Sequence, residues 1–500
     1  MRWLIIALCL AVTAAGTPRW LRVAQREHYL PGSVVWTDQL WFSRSRLSAL
    51  LWLPVIGFFA LGMFVSPWFY VPSAAIAQAG PIGLPYKGRT ARLAWTPRVR
   101  RLCLVLAVLV LAVGIWSPAM AAVTSLFLTV LVDAALLLVR PIEKRLSAVF
   151  LERARTKVAK VRPTLIAITG SYGKTTTKNY LAHLLSRTHS VLASPASFNN
   201  AMGLSRAVNE GLVPGTEVFV AEMGTYGKGE ISRLCEVFPP DIAVITAIGE
   251  VHLQRMKSRE GVLEAKSEIT VKARCIVLNV DDDLLAGLAT SLVQQGKDVI
   301  RCSVKDKTAD VAIIDDALFV KGRPVGPASL PESVHPANAA CALGAAIALV
   351  DDPALLRPRL AGLPTVAHRL EPIATPDGSW VLDDTYNSNP AGAAEAVRRA
   401  RALAERTGGR FHVVTPGMVE LGDLQKQRNE ELGARITEAG AATLVVIGRT
   451  NGAALDRGAS GGSTEVLRVD TREQGVALVE QRSAPGDVVL FENDLPDHYP

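Results

Sequence analysis

Cysteine is scarce in this sequence, and its spacing excludes two kinds of structure. Six cysteines occur in 500 residues, and none forms a C-x-x-C pair or stands at zinc-ligand spacing from a histidine. We therefore expect no cysteine-based zinc site and interpret all six as unpaired thiols. Unpaired thiols favour a reducing compartment for the soluble part of the chain. The cysteines are Cys9, Cys103, Cys235, Cys275, Cys302 and Cys341.

Acidic residues are outnumbered by basic ones, which leaves a net charge of +8. A basic excess can indicate nucleic-acid binding, but many of these side chains flank long apolar runs. Such clusters orient a membrane protein and attract anionic lipid, so we expect membrane lipid and no nucleic acid as a partner. The clusters comprise Arg89, Arg92, Arg98, Arg100 and Arg101 before one run, and Arg140, Lys144, Arg145, Arg153, Arg155, Lys157 and Lys160 after it.

Long apolar runs are absent beyond about residue 145, so the sequence divides into a membrane region, 1–150, and soluble domains. Residues 102–139 are about twice as long as the roughly 20 residues of one membrane-spanning helix, and Ser117-Pro118 interrupts them, which predicts a helical hairpin. Residues 47–79 contain three prolines and allow either one long kinked span or a second hairpin. The first apolar run resembles a signal-peptide core, but we favour a retained anchor because further spans follow.

Charge distribution predicts the orientation of these helices. With two hairpins, the basic segments 17–47, 80–101 and everything after 140 lie on one side, which the positive-inside tendency assigns to the cytoplasm. We therefore predict a multi-pass protein of the inner (cytoplasmic) membrane with its catalytic domains in the cytoplasm. Asp133, inside the last run, is expected to have a structural role.

The stretch "IAITGSYGKTTTKNYLAHLL", residues 166–185, combines a β-branched strand, a glycine-rich turn and a helical pattern. This is the context of a phosphate-binding P-loop, although the first glycine of the full motif is replaced by Ile168. Backbone N–H groups of the turn and the helix start can enclose phosphate, Lys174 can reach the outer phosphates, and the Thr175 hydroxyl can bind magnesium. The predicted nucleotide-binding residues here are Gly170, Ser171, Gly173, Lys174, Thr175 and Thr176.

Further polar residues follow apolar strand patterns after the P-loop. Glu222 ends one predicted strand, His252 follows another, and Lys266 lies in a helical pattern. Asn199 and Asn200 form a paired-amide turn. Each has an ordinary structural explanation alone, but at strand ends beside a P-loop they predict a site.

As a set, these motifs resemble the Mur ligase superfamily, ATP-dependent enzymes that add amino acids or dipeptides to the peptidoglycan precursor, and within it the MurF branch. The resemblance covers about residues 155–500. It implies that Lys174 stabilises the transferred phosphate and that Thr175 and Glu222 bind one magnesium ion. His252 is implied to hold a second magnesium, together with Lys266 in carbamylated form.

Later motifs extend the resemblance. Asn338 in "HPANAAC" stands where the family contacts ATP. The resemblance also implies a nucleotide contact at Arg369, although a histidine precedes it where the family usually has glycine. "VLDDTYNSNPAG" is close to the MurF signature that opens the C-terminal domain. The resemblance implies a nucleotide contact at Asp384. It also implies that five residues contact the substrates, namely Asn199, Asn200, Tyr386, Asn387 and Asn389.

Strand signals at "SWVLDD", "FHVVTP", "TLVVIG" and "DVVLFEN" alternate with helical patterns in the C-terminal part. Alternation predicts a parallel sheet covered on both faces. The expected fold is therefore α/β. It has a P-loop central domain with a parallel sheet, 151–365, and a Rossmann-like C-terminal domain, 366–500, preceded by α-helical transmembrane segments.

Two departures from the family pattern leave the substrate open. Membrane helices stand where Mur ligases have a soluble UDP-sugar domain, and the C-terminal "VVLFENDLPDHYP" lacks the Lys-Gly-Ser motif of MurF. We expect a membrane-anchored amide ligase that forms an acyl phosphate on a cell-envelope precursor, using ATP and two magnesium ions. The precursor carries the carboxylate, and an amino acid or peptide supplies the amine. The alternatives are MurF itself, adding D-alanyl-D-alanine to UDP-MurNAc-tripeptide, and a P-loop transport or regulatory ATPase.

Overall fold

The computed structural model describes residues 1–86, 92–195, 198–350, 352–364, 370–385 and 388–495. It separates into two compact units, of which the first contains residues 1–146 and the second 147–447 and 451–493. The predicted domain boundaries stay predictions, and the one between 365 and 366 falls outside the described residues. The six cysteines are free thiols, and five of them are buried.

The first unit is helical. Its helices are α1 Arg2–Arg26, α2 Ser33–Arg44, α3 Arg46–Leu50, α4 Trp52–Phe64, the 3₁₀ helix Pro67–Phe69, α5 Tyr70–Ala79, α6 Pro97–Gly114, α7 Pro118–Leu126 and the start of α8 Leu128–Val161. The interruption predicted at Ser117-Pro118 is confirmed, since Ser117 Oγ accepts a hydrogen bond from the Met120 N–H (3.1 Å) at the start of α7.

The three prolines of residues 47–79 lie in the first turns of separate helical elements. Pro54 and Pro72 are the third residues of α4 and α5, and Pro67 is the first of its 3₁₀ helix. The first turn of a helix has no intrahelical acceptor for its N–H groups, so proline costs no hydrogen bond there.

Asp133 serves this unit structurally, because its Oδ2 accepts a hydrogen bond from the Val35 N–H (2.9 Å) in the first turn of α2.

Within the described residues, two helical stretches are long and apolar enough to cross a membrane. They are α1 and the stretch Arg46–Phe64, which comprises α3 and α4 taken together. A third candidate arises if α7 and α8, which meet at a bend of 79°, count as one broken span. These statements rest on length and composition. The first arm of the predicted hairpin, α6, begins with Arg98, Arg100 and Arg101 and does not pass the same test alone.

Nine strands form the larger sheet of the second unit, counted over the described residues; we call residues 164–347 the large-sheet region. The strands are β1 Thr164–Thr169, β2 Val191–Ala193, β3 Val218–Glu222, β4 Ile242–Ile245, β5 Cys275–Asn279, β6 Asp298–Ser303, β7 Val311–Ile314, β8 Ala317–Val320 and β9 Arg323–Pro327. Their order is β2-β3-β1-β4-β5-β6-β7-β8-β9; β1 to β7 pair in parallel and β8 and β9 antiparallel.

Helices cover both faces of this sheet, which explains why β1, β3 and β4 are almost continuously apolar and buried. They are α9 Lys174–Leu185, α10 Ala201–Gly211, α11 Glu230–Val237, α12 Leu253–Met256, α13 Arg259–Ser267, the 3₁₀ helix Glu268–Thr270, α14 Asp283–Gln294 and α15 Pro336–Ile347. The 3₁₀ helices Pro353–Leu355 and Arg357–Gly362 follow. Strand β1 lies between β3 and β4, so the loops after these three strands meet at one edge.

The second sheet has six strands in the described residues and defines the small-sheet region, 371–492. The strands are β10 Glu371–Ala374, β11 Trp380–Asp384, β12 Phe411–Thr415, β13 Thr443–Ile447, β14 Glu465–Val469 and β15 Val488–Glu492. Its helices are α16 Pro390–Thr407, the 3₁₀ helix Gly422–Leu424, α17 Gln425–Glu438, α18 Gly452–Ala459 and α19 Arg472–Glu480. The order is β10-β11-β15-β12-β13-β14, and every pairing except β10 with β11 is parallel. The predicted α/β fold with parallel sheets is therefore confirmed.

Candidate active site

The glycines of the loop after β1 are required by geometry. Gly170 and Gly173 have φ angles of +154° and +81°, which L side chains rarely adopt. A β-carbon on Gly173 would collide with the side-chain amide of Asn338, and one on Gly170 would collide with the Thr246 hydroxyl. The predicted ATP-contacting residue Asn338, in the first turn of α15, therefore packs directly against the P-loop.

Hydrogen bonds to the loop after β4 hold the P-loop in place. The Ser171 N–H donates to the Ala247 carbonyl (2.8 Å), and the Gly249 N–H donates to Ser171 Oγ (2.8 Å). Thr246 Oγ1 donates to the Tyr172 carbonyl (2.5 Å). The loop shape thus depends on its neighbour as well as on its own glycines.

Helix α9 begins at Lys174, so its N-terminal N–H groups point toward the P-loop, an arrangement suited to phosphate. The half-buried Lys174 donates from Nζ to the Gly170 carbonyl (2.8 Å) and lies over its own loop. Thr175 and Thr176 occupy the first turn. The predicted anion-binding elements are therefore adjacent.

Glu222, at the end of β3, is the centre of a buried polar cluster. Its Oε2 accepts hydrogen bonds from Thr175 Oγ1 (2.8 Å) and Lys178 Nζ (3.3 Å), and its Oε1 accepts one from Asn199 Nδ2 (3.2 Å). The structure thus brings together three residues that the sequence predicted separately. Asn200 instead caps α10, since its Oδ1 accepts from the Gly203 N–H (2.9 Å).

Lys178 belongs to this cluster and was missed by the sequence analysis. Its side chain is 1% exposed and forms an ion pair with Glu222. Burial lowers the pKa of Lys178, and the carboxylate of Glu222 opposes that shift. The available signal was its position one turn after Lys174 on the same face of α9, next to the buried Tyr180 and Leu181.

Lys266, near the end of α13, is buried, and within the described residues its amine has no hydrogen-bond or ion-pair partner. Burial, and to a lesser extent the nearby Lys174 ammonium, lower the pKa of Lys266 well below its usual range. Most buried lysines are paired, because an isolated charge is costly in an apolar interior. A lysine in a helical pattern ordinarily lies on a solvent-exposed face, whereas the amine of Lys266 is buried.

His252 lies in the loop between β4 and α12, with a φ angle of +55°. Its Nδ1 forms a 2.5 Å hydrogen bond with Glu420 Oε2 of the small-sheet region. The ring also packs edge-to-face on Tyr226, with 4.7 Å between centroids. The sequence pattern placed His252 beyond a strand but did not reveal this partner.

The side chains around Glu222 fit a magnesium ion. Magnesium is usually held by one or two carboxylates together with substrate phosphates and water rather than by a protein cage. Within the described ranges, no three His, Cys, Asp or Glu side chains stand close enough to hold a metal. The Glu222 carboxylate and the Thr175 hydroxyl, 2.8 Å apart beside the P-loop, supply the hard oxygen donors that such a site needs.

The carboxyl edge of the small sheet carries a second polar group. Asp384 and Glu492 are buried neighbours in register at the ends of β11 and β15. Glu492 accepts hydrogen bonds from Ser388 Oγ and Thr415 Oγ1, and burial, opposed by these bonds, raises its pKa. Glu492 thus connects the ends of the three strands β11, β12 and β15 through its side chain.

Among the predicted substrate residues of this region, Asn389 caps α16 by accepting from the Gly392 N–H (3.0 Å). Arg369, Tyr386 and Asn387 lie outside the described residues, so their predicted contacts stay predictions.

A cleft of about 340 Å³ lies between the two sheet regions. Tyr172 of the P-loop, Glu250 and Arg259 line it from the large-sheet region, and Asn389 and Arg428 from the small-sheet region. Among the described residues that line the cleft, Asn389 is the one that the sequence predicted as a site residue. The cleft thus adjoins the P-loop on the Tyr172 side and offers both charged and amide groups to a polar substrate.

Family matches agree with this architecture. Residues 168–321 match the Mur ligase middle domain, and residues 368–492 match the Mur ligase glutamate ligase domain. The two matches, one to the P-loop sheet and one to the second parallel sheet, identify an ATP-dependent carboxylate–amine ligase. The chain belongs to the Mur ligase family. The apolar N-terminal helices precede both matched ranges.

Curated relatives include UDP-N-acetylmuramoyl-tripeptide--D-alanyl-D-alanine ligases. The Bacillus subtilis protein is 30% identical over 364 residues, which cover 70% of this chain and 75% of that ligase. The Mycobacterium tuberculosis protein (strain H37Rv) is 28% identical over 377 residues, which cover 66% of this chain and 70% of that ligase.

Solved structures share the fold. MurF ligase from Thermotoga maritima in complex with ADP has a TM-score of 0.57 at 25% identity, covering 70% of this chain and 80% of that one. MurF from Acinetobacter baumannii (crystal structure I) also has a TM-score of 0.57, at 22% identity, covering 69% of this chain and 77% of that one.

Proposed function

We propose that this protein is a membrane-anchored, MurF-like ligase that uses ATP to join a carboxylate of a peptidoglycan precursor to the amine of D-alanyl-D-alanine. The observation that carries the proposal is the cluster of Thr175, Lys178 and Asn199 on Glu222 beside a P-loop lysine. The substrates are those named by relatives that are 30% and 28% identical over 70% and 66% of this chain.

The reaction needs an activated carboxylate, because a carboxylate and an amine do not condense at neutral pH. Transfer of the ATP γ-phosphoryl group to the carboxylate gives an acyl phosphate; the amine attacks its carbonyl carbon, and phosphate leaves. Lys174 and the N–H groups at the start of α9 stabilise the charge of the transferred group, while Asn338 and Asp384 hold the nucleotide. Arg369 is proposed as a further nucleotide contact.

The substrate side of the site uses amides. Asn199 and Asn200 precede α10 near Glu222, and Tyr386, Asn387 and Asn389 precede α16. We assign these five residues to the binding and orientation of the two organic substrates. Asn389 supports this assignment by lining the cleft next to Tyr172.

Thr175 and Glu222 would hold one magnesium ion, and His252 with Lys266 a second. Bound there, magnesium would neutralise phosphate oxygens and orient the carboxylate. Lys266 supports the assignment because its buried amine, which has no anionic partner among the described residues, can react with CO₂ in its neutral form. That reaction forms a carbamate and releases a proton, so a neutral amine becomes an anionic oxygen ligand.

The experiment follows phosphate release and product mass with full-length protein, ATP and magnesium. We expect phosphate release to depend on both UDP-MurNAc-tripeptide and D-alanyl-D-alanine, with a product of the ligated mass. Hydroxylamine in place of the dipeptide should trap the acyl phosphate as a hydroxamate. ATP turnover that ignores both substrates would contradict the ligase and favour a transport or regulatory ATPase.

The same assay shows whether the muramoyl tripeptide that the enzyme uses is linked to UDP or to a lipid. A lipid-linked muramoyl tripeptide is compared with the UDP-linked one at equal concentration. Preference for the lipid-linked form would assign the N-terminal helices a role in bringing the enzyme to its acceptor.

We further propose that the first unit anchors the chain in the inner membrane with the second unit in the cytoplasm. Leu53 and Ile56 on α4 are 67% and 60% exposed, an expensive arrangement in water and a favourable one in lipid. The basic residues that follow the apolar helices agree with a cytoplasmic catalytic part.

Exchange of Leu53 and Ile56 for lysine should release the protein from membranes. Each lysine near the middle of a span opposes insertion by about 2.5 to 3.5 kcal/mol. Wild type is expected to stay in the pellet after an alkaline carbonate wash, and the double variant to move to the supernatant. Val293→Lys, at an exposed position of α14, is the matched control and should not change the distribution. Wild type in the supernatant would contradict anchoring.

A further inference from the structure

The segment Gly249–Met256, which contains His252, is contacted from the small-sheet region at several points. We call it the His252 segment. It follows β4 of the large-sheet region and includes α12. Its partners are Glu420, Gly422 and Arg428, which lie between β12 and the first turns of α17. The contacts therefore join two regions that belong to different sheets.

The first contact holds both the ring and the backbone. His252 Nδ1 lies 2.5 Å from Glu420 Oε2, and the Gln254 N–H donates to the Glu420 carbonyl (3.3 Å). His252 and Glu420 both have positive φ angles, +55° and +63°. Non-glycine residues rarely adopt this conformation, and surrounding contacts must maintain it. Two facing residues in this state indicate that the contact is specific.

The second contact is an ion pair with two parallel hydrogen bonds. Arg428 Nε and Nη2 donate to Glu250 Oε2 and Oε1, both at 2.6 Å. Bidentate geometry of this kind fixes orientation as well as distance. In addition, a β-carbon on Gly422 would lie 3.3 Å from the Gln254 nitrogen, so the two backbones approach closely. The His252 segment is thus held on both sides of His252, at Glu250 and at Gln254.

We propose that Glu420 is a positioning residue that delivers His252 to the metal site when the small-sheet region docks. A carboxylate accepts and does not donate, so the shared proton resides on His252 Nδ1. With Nδ1 engaged by Glu420, Nε2 is the ring nitrogen that remains to bind a metal. The inference rests on the proposed function in so far as His252 is a magnesium ligand there.

A consequence is that the metal site depends on both sheet regions. Tyr226 packs against the ring from the large-sheet side and Glu420 holds it from the small-sheet side. With the small-sheet region undocked, the ring lacks the acceptor that selects its tautomer. Docking of the small-sheet region therefore completes the metal site and at the same time supplies the second wall of the cleft.

The test uses Mn²⁺ as the probe, with full-length protein and a non-hydrolysable ATP analogue. Electron spin-echo modulation from a directly bound ¹⁴N reports imidazole coordination, a readout independent of turnover. Loss of a hydrogen-bond partner behind a metal-bound histidine typically weakens metal binding by about 10- to 100-fold. We expect the Mn²⁺ concentration for half-maximal nitrogen modulation to rise by this factor in Glu420→Ala, and by less in Glu420→Gln.

The controls separate this role from general stability. Glu430→Ala removes a carboxylate of the same region that pairs with Arg457 instead, and should leave the modulation unchanged. Equal modulation in wild type and Glu420→Ala at every Mn²⁺ concentration would overturn the proposal. Wild-type protein that forms the ligated product but shows no nitrogen modulation would also overturn the positioning role of Glu420, while the proposed function would stand. Nitrogen modulation sensitive to Glu420 in a protein that forms no product supports the positioning role and rejects the proposed function.

Discussion

Exchange of Lys174 for alanine is expected to reduce ligase turnover by about 1,000-fold, or roughly 4 kcal/mol of transition-state stabilisation. The Lys174 ammonium lies over the P-loop, within reach of the Gly170 carbonyl, at the start of α9. Charge develops on the transferred phosphoryl oxygens at this position, and neither the backbone N–H groups nor water replaces a fixed cation there. The measurement is product formation by mass at saturating ATP.

Stability should change much less than activity in this variant. Lys174 is half-buried, so the carbonyls that it contacts can bind water instead, and the cost is about 1 kcal/mol. The matched control is Lys272→Ala, an exposed lysine before β5 at the opposite edge of the sheet. Product formation by Lys174→Ala within tenfold of wild type would contradict the assigned role.

The second large effect is expected for Glu222→Gln, which should lose both activity and stability. The carboxylate accepts hydrogen bonds from Thr175 and Asn199 and pairs with Lys178, whose side chain is 1% exposed. Removal of one partner of a buried ion pair typically costs about 3 to 5 kcal/mol, because the remaining charge loses its compensation. Denaturant unfolding of the second unit gives the free-energy change.

A second substitution separates the loss of activity from the loss of stability. In Glu222→Gln with Lys178→Met, the buried ammonium is also gone, so most of the stability should return. Activity should not return, since the negatively charged carboxylate that would bind magnesium is still absent and a neutral amide oxygen is a weaker ligand. Glu210→Gln is the control, because Glu210 pairs with Arg206 on an exposed helix face and contributes about 0.5 kcal/mol or less. Full activity of the double variant would show that Glu222 is structural.

Local patterns in the sequence predicted much of the second unit. The strand before the P-loop, the helix that starts at Lys174, and the strands that end at Glu222 and Asp384 lie where periodicity placed them. Strong β-branched runs and a glycine turn carry such information over a few residues. The strand β14 Glu465–Val469 escaped prediction because it is mostly part-exposed and contains charged residues.

The membrane region was harder to predict. The prolines of residues 47–79 allowed either one kinked span or a hairpin, and in the structure Pro54, Pro67 and Pro72 lie in the first turns of separate helical elements. The same residue produces either outcome, and tertiary packing chooses between them. The predicted hairpin break at Ser117-Pro118 was clearer because serine caps and proline begins a helix through local hydrogen bonds.

The sequence by itself determined the chemical parts: a P-loop lysine and threonine, carboxylates and a histidine at strand ends, and a lysine on a helix. Periodicity and short-range backbone preferences are enough to place such residues on their own elements. Only the tertiary structure decided the partners, namely Lys178 and Asn199 on Glu222 and Glu420 on His252, and it also buried the amine of Lys266. These contacts join residues 23 to 168 positions apart, and they arise because β1, β3 and β4 end at one edge and a second sheet docks beside it.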